Sequence, residues 1–98
     1  MKINNKNGKN YDYKYKNFGD NHISIQTWHL AALKAIDQIS TLKPSSKFLE
    51  IGSGNGIFLS LLSKKFKNSF GIEISKEAVK LCKKKNLNVR LLDYEKDN

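Results

Sequence analysis

The sequence predicts an α/β fold, a doubly wound parallel sheet of which only the first three strands and their helices are present, preceded by an N-terminal helix. Three observations predict it. Phe48-Leu49-Glu50-Ile51 is a short apolar run ending beside a carboxylate, and Gly52, Gly54 and Gly56 follow at alternate positions. Two further short apolar runs, 69–74 and 88–92, each reach an acidic residue at or just past the carboxyl end, Glu73 and Asp93. Between the runs, apolar residues recur at three- and four-residue spacing, the period of a helix. Strands alternating with helical patterns point to βαβ units and a parallel sheet.

Residues 1–17 are mostly Lys, Asn and Tyr, with Ile3 as the one aliphatic anchor. Such a segment cannot bury enough apolar area to offset its ordering entropy, so residues 1–20 are expected to form a flexible basic arm. Tyr11, Tyr13 and Tyr15 alternate with polar residues, a pattern that a short strand or a grip on single-stranded nucleic acid would also use.

Residues 22–43 are expected to be a helix, with Trp28, Ala32, Ala35, Ile36, Ile39 and Leu42 on its inner face. Asn21 or Ser24 could cap it, and Pro44 stops it. On this reading Trp28 is core packing. His22 and His29 could each take a proton from a substrate, although a solvated or capping histidine is the commoner use.

Residues 44–46 lead into strand one, where Phe48, Leu49 and Ile51 suit a buried parallel strand. The glycine turn lets the backbone approach a ligand, and the free N–H groups of the helix that follows suit an anionic group. Ile57, Phe58, Leu61, Leu62 and Phe66 give that second helix its apolar stripe. Strand two covers 69–74. A carboxylate at its end, Glu73, can accept two hydrogen bonds side by side and so matches the vicinal diol of a ribose. Ser75 caps a third helix whose inner face is Ala78, Val79, Leu81 and Cys82. Lys83, Lys84 and Lys85 match the dipole at its end, and Asn86 can take the left-handed conformation that closes it. Strand three, 88–92, leads to Asp93 and Tyr94.

The glycines decide between two ligand classes. A dinucleotide fingerprint is G-x-G-x-x-G, and Ile57 stands where its third glycine belongs. The observed G-x-G-x-G, with Glu50 two residues ahead, resembles the class I S-adenosylmethionine-dependent methyltransferases. Leu49-Glu50-Ile51-Gly52-Ser53-Gly54-Asn55-Gly56 is similar to their first motif, Gly71-Ile72-Glu73-Ile74-Ser75 to the second, and Leu92-Asp93 to the third. The likeness covers about residues 46–94. It implies a Rossmann-like fold with S-adenosyl-L-methionine as cofactor. Gly52, Ser53, Gly54 and Gly56 would then wrap the methionine part, and Glu50 would help hold its ammonium. Glu73 would bind the ribose, Ile74 would pack on the adenine face, and Asp93 and Tyr94 would read the adenine edge. A narrower similarity, through Gly71–Ser75, Ala78-Val79, Cys82 and Asn88–Asp93, is to the methionine-biosynthesis W-type proteins; Ser53-Gly54-Asn55 departs from the Cys-Gly-Asp common there.

Such domains normally carry seven strands, so residues 21–98 are expected to be a partial methyltransferase domain, truncated at the C-terminus, with the helix at 22–43 and the cofactor-binding half at 46–94. Strand one would then have an unpaired edge, an aggregation liability. Residues that choose the methyl acceptor lie later in the family, so the acceptor and any catalytic base stay unknown. Two alternatives remain open, a non-enzymatic basic RNA-binding module and an NAD(P)-binding domain of the same topology.

Bulk properties bound the rest. The formal charge is +9, but 17 of the 18 basic residues are Lys and 11 residues are Asn, a composition that an AT-rich genome also produces. Nucleic acid is therefore a partner to consider without being favoured. Cys82 is the single cysteine, so no intramolecular disulfide can form, and one Cys with two His offers no metal site. No apolar run reaches the length of a membrane helix and no signal sequence opens the chain, so no membrane association and a cytoplasmic location are expected.

Overall fold

A computed structural model describes Gly8, Asp12 and residues 25–93. The proposed flexible arm, apart from Gly8 and Asp12, lies outside the described residues, as do His22, the caps at Asn21 and Ser24, and Tyr94. The element order is α1 (Thr27–Asp37), β1 (Lys47–Ile51), α2 (Ile57–Lys65), β2 (Asn68–Glu73), α3 (Lys76–Lys84) and β3 (Val89–Leu91). The strands form one sheet in the order β1-β2-β3, and they are parallel, as the alternation of strand and helix patterns predicts.

The parallel register decides which residues face the helices. Glu50 pairs with Gly71, and Gly71 with Val89, so these three share a face. Leu59 of α2, Val79 and Cys82 of α3 and Val89 of β3 form the buried cluster on that side, joined by Leu87 and Leu91. Gly71 makes this approach possible, because a Cβ there would strike the Ser53 hydroxyl and come within 3.1 Å of Leu59 Cδ2. The opposite face carries Leu49 against Phe70 and Ile51 against Ile72. Leu49 and Ile51 are each 63% exposed, not buried as their apolar character suggested. The reason is side-chain alternation. Odd positions of β1 point away from α2 and α3, and among the described residues no element covers that face.

Helix α1 is shorter than the apolar periodicity indicated. Gln38 already leaves the helical ladder, with its N–H shared between Ala35 O and Ile36 O. Tighter turns then follow, Ile39 N–H to Ile36 O and Leu42 N–H to Ile39 O. Ser40 and Thr41, whose hydroxyls compete for backbone groups, favour this turn. The inner face is also rotated. His29 is buried, and Ala32, Leu33 and Ile36 are half-buried, while Trp28 and Ile39 are about half exposed at 56% and 49%. Positions 29, 32, 33 and 36 make a complete helical stripe, and Trp28 lies one residue off it. Asp37 at the end of α1 meets Lys65 at the end of α2, with Nζ 2.6 Å from Oδ2; both side chains are half exposed, so the pair adds little stability.

Helix α3 follows its expected caps. The Ser75 hydroxyl accepts from Ala78 N at 3.2 Å and donates to Asp12 Oδ1 at 2.5 Å. Asn86 adopts φ 59°, and the helix closes there. Ser75 is fully buried, so Ser75→Ala removes a cap and leaves Asp12 Oδ1 only the long contact from Glu77 N at 3.4 Å. We expect a loss of about 1–2 kcal/mol in urea unfolding; a loss indistinguishable from zero would show that the cap does not hold this helix.

Candidate cofactor-binding site

The parallel strands bring their carboxyl ends to one edge of the sheet, and the sequence placed an acidic residue at or near each end. The structure puts Glu50 within β1 one residue before its end, Glu73 at the end of β2, and Asp93 two residues past β3. The loop from Gly52 to Gly56 turns from β1 into α2 across this edge. Gly52, Gly54 and Gly56 all have positive φ. Gly52 N–H and Ser53 N–H both donate to Ile72 O, at 2.9 and 3.2 Å, which ties the loop to β2.

Glu73 has a task that motif reading missed. Its Oε1 accepts from Gly54 N at 2.8 Å and its Oε2 from Ser75 N at 2.7 Å. The carboxylate therefore locks the glycine loop to the start of α3 while 4% exposed. The signal was in the register. Ile51 pairs with Ile72, so Glu73 stands level with the first residue after β1. Each carboxylate oxygen keeps a second lone pair for a further donor. Helix α3 supplies two more ties that the sequence did not reveal. Cys82 Sγ donates to Gly54 O at 3.2 Å, and Lys85 Nζ donates to Asn55 O at 2.8 Å. The buried thiol, expected only on the helix's inner face, also steadies the loop.

A cavity of about 140 Å³ opens against this loop. Glu50, Gly52, Ser53 and Gly54 line it, together with Trp28 and His29 from α1 and Phe58 from α2. Glu50 Oε1 and Ser53 Oγ are buried without hydrogen-bond partners among the described residues. Burial pushes the Glu50 carboxyl up from its ordinary 4.5 to about 7. The nearby Ser53 side chain offsets part of that rise, without a closed hydrogen bond to Oε1, and the Glu73 charge adds to it. A buried acceptor and hydroxyl with nothing to bind have the chemistry to receive an outside donor, and a cationic one above all.

The other expected residues fall differently. Gly56 is buried at the start of α2 and meets Leu87 and Cys82, so it shapes the loop from behind. Ile74 is 2% exposed and Asp93 fully buried. Of the two roles open to His29, proton acceptor and cap, the cap fits its geometry. His29 Nδ1 accepts from Gln26 N at 2.8 Å, at the entry to α1.

Residues 32–98 match the family described as "MetW: Methionine biosynthesis protein MetW". The chain belongs to the MetW family. No curated protein matches it. Among solved structures, a SAM-dependent methyltransferase from Anabaena variabilis ATCC 29413 is similar at 20% identity and a TM-score of 0.66, over 94% of this chain and 40% of that one. DesVI from Streptomyces venezuelae is similar at 17% identity and a TM-score of 0.57, over 95% of this chain and 37% of that one. This MetW-family chain thus spans about two fifths of the length of the structures it resembles. Such identities establish a shared fold, and the class I methyltransferase architecture inferred from the three motifs stands. Among the described residues no helix is long and apolar enough to cross a membrane.

Proposed function

We propose that this chain binds S-adenosyl-L-methionine through the Gly52–Gly56 loop and serves as the cofactor-binding part of a methyltransferase. One observation carries the reading. Glu50 Oε1 and Ser53 Oγ are buried and unpartnered beside a cavity framed by glycine backbone. The amino-acid end of the cofactor brings the ammonium donors that these oxygens lack, so the residues fit the group. The cofactor supplies an already activated methyl, and the chain's contribution is to bind, orient and exclude water.

Glu50, once ionised, accepts the ammonium, and the Ser53 hydroxyl is free to turn toward the same ligand. Glu73 holds the loop shut and offers its remaining lone pairs to the ribose. In this reading Asp93 accepts from the adenine amine, with Ile74 as an apolar neighbour of the ring. Tyr94 belongs to the same set by sequence position. Whether the chain transfers methyl groups or only senses the cofactor depends on an acceptor site, and both uses require the same pocket.

Titration of S-adenosylhomocysteine, followed by calorimetry and Trp28 fluorescence, tests this. Saturable binding is expected, with NADH failing to compete. Glu73→Ala strands two backbone N–H groups, each costing about 1–3 kcal/mol if unpaired, so affinity should fall at least about tenfold. A well-folded chain that ignores S-adenosylhomocysteine would sink the proposal and bring forward a salt-dependent RNA-binding assay.

A further inference from the structure

The cavity has a second wall that the glycine motif does not account for. Trp28 and His29 lie at the start of α1, and Phe58 in the first turn of α2. Their rings cluster, with centroids 3.8 Å apart for Trp28–His29, 6.0 Å for Trp28–Phe58 and 6.2 Å for His29–Phe58. All three border the same cavity as Glu50. Trp28 is 56% exposed, so packing alone does not explain a large aromatic there.

The charge balance of this cavity is unlike that of the chain. The protein has 18 basic residues, yet among the described residues the cavity is lined by a carboxylate and by no Lys or Arg. Lys85, which donates to Asn55 O of the loop, borders a neighbouring groove with Lys64. The His29 ring is fixed in orientation by its Nδ1, which accepts the Gln26 N–H. Aromatic faces and one carboxylate together favour a cation, since ring quadrupoles attract positive charge.

We infer that Trp28, supported by His29 and Phe58, forms a cation-recognising wall that favours the positively charged methyl donor over its neutral product. Trp28 is thus a specificity-determining residue, and Glu50 accounts for the ammonium that donor and product share. The inference rests on the proposed function above. It gives α1 a role in ligand discrimination besides packing, and it would favour release of the product once the positive charge on sulfur is gone.

Donor and product differ by one methyl group and one charge, so their affinity ratio isolates this effect. Calorimetric titrations of S-adenosylmethionine and S-adenosylhomocysteine at pH 8, on the wild type, Trp28→Leu and Trp28→Phe, make the test. Trp28→Leu should lower the donor-to-product affinity ratio by about 2- to 30-fold, the range of a single cation–π contact. Trp28→Phe should keep part of the ratio. Circular dichroism should be unchanged, given the exposure of this side chain. Equal losses for both ligands would overturn the inference while leaving the proposed cofactor site intact. Failure of the folded wild type to bind either ligand would overturn both.

Discussion

Replacing Glu50 by Gln is expected to stabilise the chain at pH 8 and to weaken ligand binding at the same pH. The two effects share one cause. Burial lifts the Glu50 carboxyl to about 7, above its ordinary 4.5. Below pH 4.5 the group is neutral in both folded and unfolded chains and has no effect on stability. Between 4.5 and 7 the unfolded chain ionises first, so stability falls as pH rises. Above 7 both forms are ionised and the loss is complete. The whole difference corresponds to about 3 kcal/mol at 1.36 kcal/mol per tenfold. Glu50 keeps some contact with solvent, which screens its charge, so we expect about 2 kcal/mol. Gln has nearly the same shape and no charge to desolvate. Its Tm at pH 8 should exceed that of wild type by roughly 10 °C, and the two should converge as the pH falls below 4.5.

Binding should move the other way. A buried carboxylate that meets an ammonium makes a charge-assisted bond worth about 1.5–3 kcal/mol, so Glu50→Gln should lose about 10- to 100-fold in affinity for S-adenosylhomocysteine. Wild-type affinity should rise from pH 6 to pH 8 as Glu50 ionises, and the Gln variant should be flat. At pH 6.5 the ligand cation should expel a proton from Glu50, visible as a binding enthalpy that changes with buffer. A variant less stable than wild type at pH 8, or an affinity profile that Gln leaves unaltered, would remove Glu50 from this role. Such opposed effects on stability and binding are what a functional group held in an unfavourable place produces.

How much of this was legible in the sequence follows from the range of each interaction. Local signals succeeded: the Ser75 cap, the Asn86 closure and the glycine turn are each decided by residues a few positions apart. The parallel pairing of the sheet followed from the alternation of strands and helices. The exposure of Leu49 and Ile51 did not, since apolar character says nothing about which sheet face the helices cover. The turn of α1 that buries His29 and exposes Trp28 depends on where the helix begins, and Gln26 is a weak capping signal. The contacts of Glu73 with Gly54, and of Cys82 with Gly54 O, span 19 and 28 residues. Only the strand register brings them together, so motif matching found the residues and missed what they do to one another.

The Gly56→Ala exchange shows the same point in energetic form, and it should be the most damaging single methyl in the loop. Gly56 has φ 87°, where an L side chain costs about 1–2 kcal/mol. The added Cβ would also lie 2.5 Å from Leu87 Cδ1 and 3.0 Å from Cys82 Sγ, inside their contact radii. Overpacking of this kind costs about 1–3 kcal/mol. Together the two terms come to about 2–5 kcal/mol, a large share of a small domain's stability, and Tm should fall by roughly 10 °C or more. The terms separate in a double-mutant cycle. Leu87→Ala frees the space, so in that background Gly56→Ala should keep the backbone cost and lose much of the steric one, a coupling of about 1 kcal/mol or more. A strictly additive cycle would place the whole cost in the backbone. A Gly56→Ala variant as stable as wild type would mean that the loop relaxes away from α3, and the Cys82 and Lys85 ties could not then be what holds the pocket's shape.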